Sequence, residues 1–284
     1  MRIRLALLFL LFQITTTAQK VYPLPAALTE ISGLEVVTPD SIFALNDGGN
    51  GPLLFNLTST GEISHTWPVR GTRNVDWEAI ARDDRGRLYL CDVGNNRNDR
   101  RDLRIYRLDL TTWQIDTIAF RYPDQTDFPP APADRNFDLE GVLWYRDSLH
   151  LFSKNRIGAG DYTTKHYVLP AAPGSYVADL RTSRLLRRRV VTAAALRDDG
   201  QEIALLTYDV GRLFGLLPYF RASVFLLTDF ERGFDRATIR KVRIPGFLKR
   251  QYEALDYLDE QTLLLGAERS FFLAPRLVHL LLKR

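Results

Sequence analysis

Cysteine is nearly absent from this chain, and so are the short motifs that mark several common enzyme classes. Among 284 residues there is one cysteine, Cys91, so no internal disulfide can form and the fold must be held by packing. We expect Cys91 to be a small buried strand residue, as most free cysteines are. The sequence has no Gly-x-Ser-x-Gly elbow, no glycine-rich phosphate loop before a helix, no His-Glu-x-x-His and no Cys-x-x-Cys. The enzyme classes that depend on these motifs therefore find no support.

Long hydrophobic runs are also missing beyond the N-terminal segment. That segment has Arg2 and Arg4, an apolar run at residues 5–12 and small residues up to Ala18, which is the order of a secretory signal peptide. We therefore expect a cleaved signal at residues 1–18 and one soluble domain at residues 19–284, in the periplasm or secreted, with no transmembrane segment. The formal charge of +4 falls to about +2 without the signal, so a nucleic-acid partner is not indicated.

What the sequence does contain is a fivefold repeat of apolar strands that open on a carboxylate or hydroxyl residue. The equivalent residues, at intervals of 46, 62, 52 and 61 positions, are Ser32, Glu78, Glu140, Thr192 and Glu253. Runs of β-branched and aromatic residues, separated by Asp, Gly, Pro and Asn turns, fit four strands into each repeat. This spacing is that of a β-propeller blade. The sequence thus predicts an all-β, five-bladed β-propeller.

The last repeat is one strand short of a complete blade. It offers strands at 253–258, 262–266 and 277–282. Because an unpaired edge leaves backbone donors and acceptors open, we expect the N-terminal segment 21–28 to supply the missing strand and close the ring. A six-bladed ring is the alternative, and it requires that one of the two longest later repeats hides a second blade. In the third repeat we place the fourth strand near residues 176–180.

The first strand of each propeller blade lies innermost, so the five equivalent side chains should meet in the central channel. Three of them are carboxylates, which repel one another unless their pKa values rise or a cation lies between them. Calcium accepts an irregular set of oxygen ligands, and none of the four histidines belongs to a repeated motif that would suit zinc. We therefore predict a Ca²⁺ site whose ligands are Ser32, Glu78, Glu140, Thr192 and Glu253.

Polar loops after the second strands should surround the same mouth of the channel. The predicted rim residues are Asn46, Asp47, Asn95, Asn96, Lys154, Glu268 and Arg269. For Asp47 and Asp92, the needs of an ordinary turn explain the residue type equally well. If the site is catalytic, we expect Asp76, Asp92 or Asp138 to act as general base and Arg156 to neutralise charge on a phosphate.

Four short strings resemble those of a known group of propellers. They are Ser32-Gly33-Leu34-Glu35, Asn46-Asp47-Gly48-Gly49, Asp76-Trp77-Glu78 and Cys91-Asp92-Val93-Gly94-Asn95-Asn96. They resemble the extracytoplasmic propellers grouped as SdiA-regulated or esterase-like phytase domains. The five-blade plan is also similar to that of the secreted calcium-activated nucleotidases (apyrases), which implies a channel ion held by Ser and Glu side chains. Thr192 departs from that pattern.

Two classes of function remain open on these grounds. One is a calcium-dependent hydrolase of phosphoric or other esters that acts on an anionic small molecule. The other is a non-catalytic propeller that binds a cell-surface ligand or protein while its ion holds the ring together, since propellers host many unrelated tasks. A glycosidase with paired carboxylates fits less well, because Arg and Lys at the rim suit an anionic ligand better than a neutral sugar. In either class we expect a monomer.

Overall fold

The protein is described by a computed structural model that covers residues 19–155, 162–186, 188–213, 217–245, 250–270 and 272–283. The predicted signal peptide at residues 1–18 and the predicted catalytic residue Arg156 lie outside the described residues. The strands are β1 (Gln19–Pro23), β2 (Ile31–Thr38), β3 (Ser41–Asn46), β4 (Leu53–Leu57), β5 (Ile63–Pro68), β6 (Trp77–Arg82), β7 (Leu88–Asp92), β8 (Arg104–Leu108), β9 (Ile115–Arg121), β10 (Asp138–Tyr145), β11 (Ser148–Lys154), β12 (Thr163–Pro170), β13 (Gly174–Val177), β14 (Asp179–Leu185), β15 (Arg189–Leu196), β16 (Ile203–Leu213), β17 (Leu217–Thr228), β18 (Thr238–Arg243), β19 (Tyr252–Asp259), β20 (Thr262–Ala267) and β21 (Arg276–Leu281). Helical structure in this part of the chain is confined to short 3₁₀ turns at Ala26–Leu28, Pro132–Asp134, Phe230–Arg232 and Phe234–Arg236.

The strands form five sheets arranged as the blades of a propeller. In order outward from the axis, blade 1 contains β2, β3, β4 and β5; blade 2 contains β6 to β9; blade 3 contains β10, β11, β12 and β14; blade 4 contains β15 to β18; and blade 5 contains β19, β20, β21 and β1. Each innermost strand packs against the next, from β2 through β6, β10, β15 and β19 and back to β2. The predicted five-bladed propeller is therefore confirmed, and the six-bladed alternative is wrong.

The N-terminal strand completes the fifth blade, as the missing strand predicted. Strand β1 pairs antiparallel with β21, with Val21 opposite Val278 and Gln19 opposite Leu280. Beyond the strand, the amide of Leu24 donates to the carbonyl of Pro275 at 3.1 Å. The first and last strands of the described residues thus lie in one sheet, and their pairing closes the ring.

The outer strand of the third blade differs from its predicted position. Residues near 176–180 were expected to form one strand of that blade, but they are divided between two sheets. Strand β13 pairs in parallel with β9 of blade 2, with Tyr176 opposite Phe120, while β14 completes blade 3 by pairing with β12. The prediction was wrong because the strand pattern identifies a strand without saying which neighbouring edge it joins. Here Tyr176 packs against the apolar cluster between blades 2 and 3.

The hydrophobic core is divided among the five interfaces between blades. Each of the five buried clusters draws its side chains from two adjacent blades, so that blades 1 and 2, 2 and 3, 3 and 4, 4 and 5, and 5 and 1 each share one. Cys91 is fully buried in the cluster between blades 2 and 3, which confirms its predicted structural position. Apolar packing between blades therefore leaves the channel along the axis for polar groups.

We predict that removal of β1 opens the ring at blade 5. A chain that begins at Leu24 loses the five residue pairs with β21. Because each net backbone hydrogen bond contributes about 1 kcal/mol, the free energy of unfolding should fall by roughly 2–4 kcal/mol. Urea unfolding of this chain and of one beginning at Gln19 measures the difference, with Lys20→Ser as a control that keeps the strand. Equal stability of the two chains would show that β1 is dispensable.

Candidate functional site

A β-bulge occurs at the same position in all five innermost strands. In every blade, the pairing register between the first and second strand is interrupted at one equivalent residue near the start of the first strand, and this residue has no partner on the second strand. These residues are the five predicted from the repeat, namely Ser32, Glu78, Glu140, Thr192 and Glu253. All are between 0% and 8% exposed. Because a bulge redirects its side chain, one local device places five polar side chains inside the ring.

The two hydroxyl residues of this set bond to neighbouring blades. Ser32 Oγ donates to the carbonyl oxygen of Trp77 at 2.7 Å, and Thr192 Oγ1 donates to that of Tyr252 at 3.0 Å. Each acceptor is the residue directly before a bulge glutamate. The hydroxyl groups therefore tie blade 1 to blade 2 and blade 4 to blade 5, next to the glutamates.

The three glutamates line one cavity at the mouth of the channel. This channel cavity has a volume of about 430 Å³, and its walls are formed by Asp47, Glu78, Asn96, Asp138, Glu140, Lys154, Asn155, Tyr208, Gln251, Glu253 and Glu268. Six of these residues are acids and one is a lysine. The predicted ligands Ser32 and Thr192 are not among them. The cavity therefore carries an excess of carboxyl groups that protons or a cation must balance.

Lys154 supplies part of that balance from within the cavity. Sequence reasoning placed it at the rim for an external anion, but its ammonium group donates to Glu140 Oε1 and its side chain is 14% exposed. Burial disfavours the charged ammonium, but Glu140 and the neighbouring Tyr208 outweigh this effect and raise the pKa of Lys154 well above its usual value. Lys154 is thus a buried counter-ion of Glu140.

The carboxyl groups of the cavity hold protons more tightly than exposed ones do. Burial, followed by repulsion from Glu140, raises the pKa of Glu78 well above its usual value. Burial also raises the pKa of Glu140, although Lys154 opposes the shift. Burial and the charge of Glu253 raise the pKa of Glu268 to about 8. Part of the acid cluster is therefore protonated near neutral pH.

Asp47 and Asp76 form a hydrogen-bonded carboxyl pair beside Glu78. Burial, the charge of Asp47 and the hydrogen bond between the two groups raise the pKa of Asp76 to about 7. Ligand oxygens of Asp47, Asp76 and Glu78 all lie within 4.8 Å of one another. We refer to these three residues as the acid trio. Its all-oxygen composition suits a hard divalent cation, and its shared proton suits acid–base chemistry.

Two glycines give Asp76 the space that it occupies. A Cβ atom on Gly48 would lie 2.5 Å from Asp76 Oδ1, and one on Gly94 would lie 2.6 Å from Glu78 Oε1 and closer still to Asp76 Oδ2. Real Cβ atoms do not approach other atoms so closely. The Asn-Asp-Gly-Gly and Asp-Val-Gly-Asn-Asn strings thus contain glycine where the loops touch the acid trio.

The other predicted acids hold the loop that carries Gly94. Asp92 is fully buried, and its Oδ1 accepts hydrogen bonds from the amide of Asp76 and from Arg100, both at 3.0 Å. Asp138 lines the channel cavity, and its Oδ1 accepts from the amide of Asn95 at 2.7 Å. Asp92 therefore positions the backbone of Asp76, whereas Asp138 joins the loop to blade 3 and also faces the cavity.

The predicted rim residues divide into two groups. Asp47, Asn96, Lys154 and Glu268 line the channel cavity, whereas Asn46, Asn95 and Arg269 do not. The side chains of Asn46 and Asn95 donate to the carbonyls of Ala27 and Phe137, so they support loops. Sequence reasoning missed Arg100 and Gln251. Arg100 is one of several arginines in its loop, and nothing in their sequence distinguishes it.

Comparisons with known proteins support the fold and no finer classification. No family model and no curated protein matches the chain. The solved structure of the aldose sugar dehydrogenase from Streptomyces coelicolor matches 94% of this chain and 99% of its own, at 12% identity and a TM-score of 0.52. The gluconolactonase XC5397 from Xanthomonas campestris matches 94% of this chain and 99% of its own, at 13% identity and a TM-score of 0.45.

A further match is longer than this protein. The tail fiber of Staphylococcus aureus phage P68 matches 95% of this chain at 12% identity and a TM-score of 0.47, and the chain spans 54% of its length. At 12% identity, the match to the aldose sugar dehydrogenase bears on the fold of this chain alone. None of the helical segments in the described ranges is both long and apolar enough to cross a membrane.

We predict that Gly94→Ala damages the site while Gly51→Ala does not. The first substitution forces Asp76 and Glu78 away from the loop and should cost about 1–3 kcal/mol of unfolding free energy. Gly51 has Leu53 Cγ at 3.7 Å from its added Cβ, an ordinary contact, so it is a matched control. Urea unfolding of both variants measures the difference. Equal effects would show that the loop accommodates a Cβ atom at residue 94 without displacing Asp76 and Glu78.

We predict that the protein loses stability as the pH rises from about 6.5 to 8 in the presence of a chelator. The pKa of Asp76 rises from its usual 3.8 to about 7, and that of Glu268 rises from 4.5 to about 8. Because the folded state binds these protons more tightly than the unfolded state, stability is greatest below the usual values and falls as the pH passes the raised ones. Thermal unfolding at several pH values measures this trend.

The variant Asp76→Asn is the control for this pH dependence. It removes one titrating group while keeping the size of the side chain, so its Tm should fall less steeply with rising pH. A Tm that rises with pH in the natural protein, or an unchanged slope in the variant, would contradict the assignment of the shared proton.

Proposed function

We propose that this protein is an extracytoplasmic hydrolase that depends on a divalent cation, Ca²⁺, and cleaves an ester or phosphoester of an anionic small molecule in the channel cavity. The observation that carries this proposal is the acid trio, in which three carboxyl groups converge beside a cavity of substrate size and one of them has a pKa of about 7. The export signal expected at residues 1–18 is the basis for the extracytoplasmic location.

The donor set fits a calcium ion better than a softer metal. Asp47, Asp76 and Glu78 offer carboxylate oxygens, and Oε2 of Glu140 is buried without a hydrogen-bond partner in the described part of the chain. Among the five ligands expected from the sequence, Glu78 belongs to the acid trio, while Glu140 is paired with Lys154. We therefore propose that the acid trio is the principal cation site, with Glu140 at its edge. A bound cation would polarise the substrate oxygen and acidify water.

Two members of the acid trio, Asp47 and Asp76, can carry out the proton transfer. Asp76 and Asp47 share a proton, and a bound cation would displace it, so Asp76 would then be ionised and could accept a proton from water. Asp92 fixes the backbone of Asp76, because its carboxylate accepts a hydrogen bond from the backbone amide of Asp76. Because six acids line the cavity, an anionic substrate would be repelled until a cation neutralises part of this charge. Substrate binding should therefore depend on the cation.

We predict that hydrolysis requires Asp76 and increases with pH as Asp76 and Asp47 release the proton that they share. Purified protein is assayed with nucleotides, phytate, aryl phosphates and lactones, with Ca²⁺ and with a chelator. Asp76→Asn should lower kcat by about 10²- to 10⁴-fold, the usual contribution of a general base. The exposed Asp134, which lies outside the channel cavity, provides the control Asp134→Asn. Turnover that is insensitive to the chelator, or equal in the two variants, would refute the mechanism.

A structural role for the ion is the second candidate function. It is favoured by the hydroxyl groups of Ser32 and Thr192, which join neighbouring blades, and by the Lys154–Glu140 pair, which neutralises charge within the channel. In that case Ca²⁺ would raise the Tm while none of the substrates is turned over, and the loops would bind a ligand at the cell surface. Measuring Tm and turnover on the same sample separates the two functions.

A further inference from the structure

Strands β16 and β17 project beyond the rest of blade 4. Strand β15 pairs with β16 as far as Asp209, and β18 pairs with β17 from Ser223 onward. Strands β16 and β17 continue to pair with each other for four positions past Asp209, as far as Leu213 opposite Leu217. At the usual rise of about 3.3 Å per residue, these positions add about 13 Å. We refer to residues 210–213 and 217–220 as the projecting hairpin.

The sequence of this hairpin is apolar. From residue 213 to residue 220 the chain contains three leucines, two phenylalanines and a tyrosine, and it contains no charged residue. A ribbon of two strands is at best marginally stable in water, and the pairing of β15 and of β18 with this ribbon ends before the projecting hairpin begins. An apolar segment in such a position marks a surface that meets another molecule or another phase.

Positively charged side chains gather where the projecting hairpin leaves the blade. They come from the start of β15, from β17 and from the end of β18, and we refer to them as the basic collar, namely Arg188, Arg189, Arg221, Lys241 and Arg243. The side chain of Arg188 is 69% exposed, and Arg221, Lys241 and Arg243 are also exposed. Four of the five cations can therefore reach a partner outside the protein.

The cations of the basic collar repel one another. Asp209 lies 4.0 Å from Arg188 and can compensate one of the five charges. Burial, followed by the charges of Arg189 and Arg243, lowers the pKa of Lys241, so these effects outweigh the attraction of Asp209. The guanidinium group of Arg189 donates to the carbonyl of Arg221 at 3.2 Å, which connects the start of β15 to β17. The fold thus holds an excess of positive charge in one place, which suits an anionic partner.

An apolar hairpin with cations at its base is suited to the two layers of an anionic lipid surface. Amphipathic segments bind such surfaces by burying apolar residues at the boundary of the acyl chains, while Lys and Arg contact the headgroups. A soluble polyanion would contact the basic collar but would gain nothing from an uncharged hairpin. The hairpin and the collar together therefore favour lipid over an acidic polymer.

We propose that the projecting hairpin and the basic collar dock this protein on the surface of an anionic lipid bilayer. The hairpin enters the headgroup region, and the exposed cations of the collar contact lipid phosphate groups. Tyr208, which precedes Asp209 at the base of the hairpin, lines the channel cavity, so docking brings that end of the ring to the bilayer. The proposal is independent of the hydrolase function, because none of the collar residues lines the channel cavity.

Sedimentation of the protein with lipid vesicles tests this proposal. We expect binding to vesicles of equal parts phosphatidylglycerol and phosphatidylcholine, and binding about tenfold weaker to vesicles of phosphatidylcholine alone. Added salt should weaken binding to the anionic vesicles, because it screens the exposed charges of the collar. Arg243→Ser should weaken this binding by about fivefold, the usual contribution of one cation near an anionic surface. Leu217→Ser removes apolar surface from the hairpin and should weaken it by about tenfold.

Two exposed residues at the opposite end of the ring provide matched controls. Arg85 lies in the turn between β6 and β7, and Leu281, which is 40% exposed, lies opposite Thr262 at the start of β20. Arg85→Ser and Leu281→Ser should leave vesicle binding unchanged, and circular dichroism verifies that every variant is folded. The absence of binding to anionic vesicles, equal affinity for the two kinds of vesicle, or unchanged affinity in Leu217→Ser would overturn the proposal. The last result, together with weaker binding of Arg243→Ser, would show that the collar binds a soluble polyanion instead.

Discussion

The bulge in each innermost strand is the constraint on which the site depends. In a regular antiparallel pair, these side chains would point toward the apolar interfaces between blades. The unpaired residue of a bulge directs its side chain elsewhere. Because the same irregularity occurs in five sheets around one axis, five polar groups are buried together. Their burial is compatible with folding because the five apolar clusters lie between the blades and stabilise the ring independently of the channel.

Charge balance then determines what the channel can do. Lys154 compensates Glu140, Arg100 compensates Asp92, and Asp47 shares a proton with Asp76. The acids that remain hold their protons unusually tightly, since water is largely excluded and like charges are close. A bound cation would therefore compete with protons for the same oxygens. This competition would link cation binding, pH and stability in a single network, which is a property of many functional sites.

The fold and the members of the acid cluster were predictable to different degrees. The fivefold spacing revealed the blades, and the short fifth repeat revealed the closing strand, because both are properties of local sequence. The repeat also found Glu78, Glu140 and Glu253. It could not show that Lys154 turns inward to Glu140 or that Ser32 bonds to the next blade, since both depend on distances between blades. Arg100 was missed for the same reason. The segment of β13 was assigned to blade 3 instead of blade 2, because the sequence pattern does not say which sheet edge a strand joins.

The amino-acid sequence by itself determined the number of blades, the closing strand and the polar character of the axis, since strand alternation, turns and repeat length are local properties. Only the tertiary structure decided which carboxyl groups meet, as Asp47, Asp76 and Glu78 come from loops and a bulge of two different blades. It also decided which polar groups are already paired, and it brought His150 and His166 within hydrogen-bonding distance of each other. These outcomes depend on side-chain distances across sheets, and a linear pattern carries no such distances.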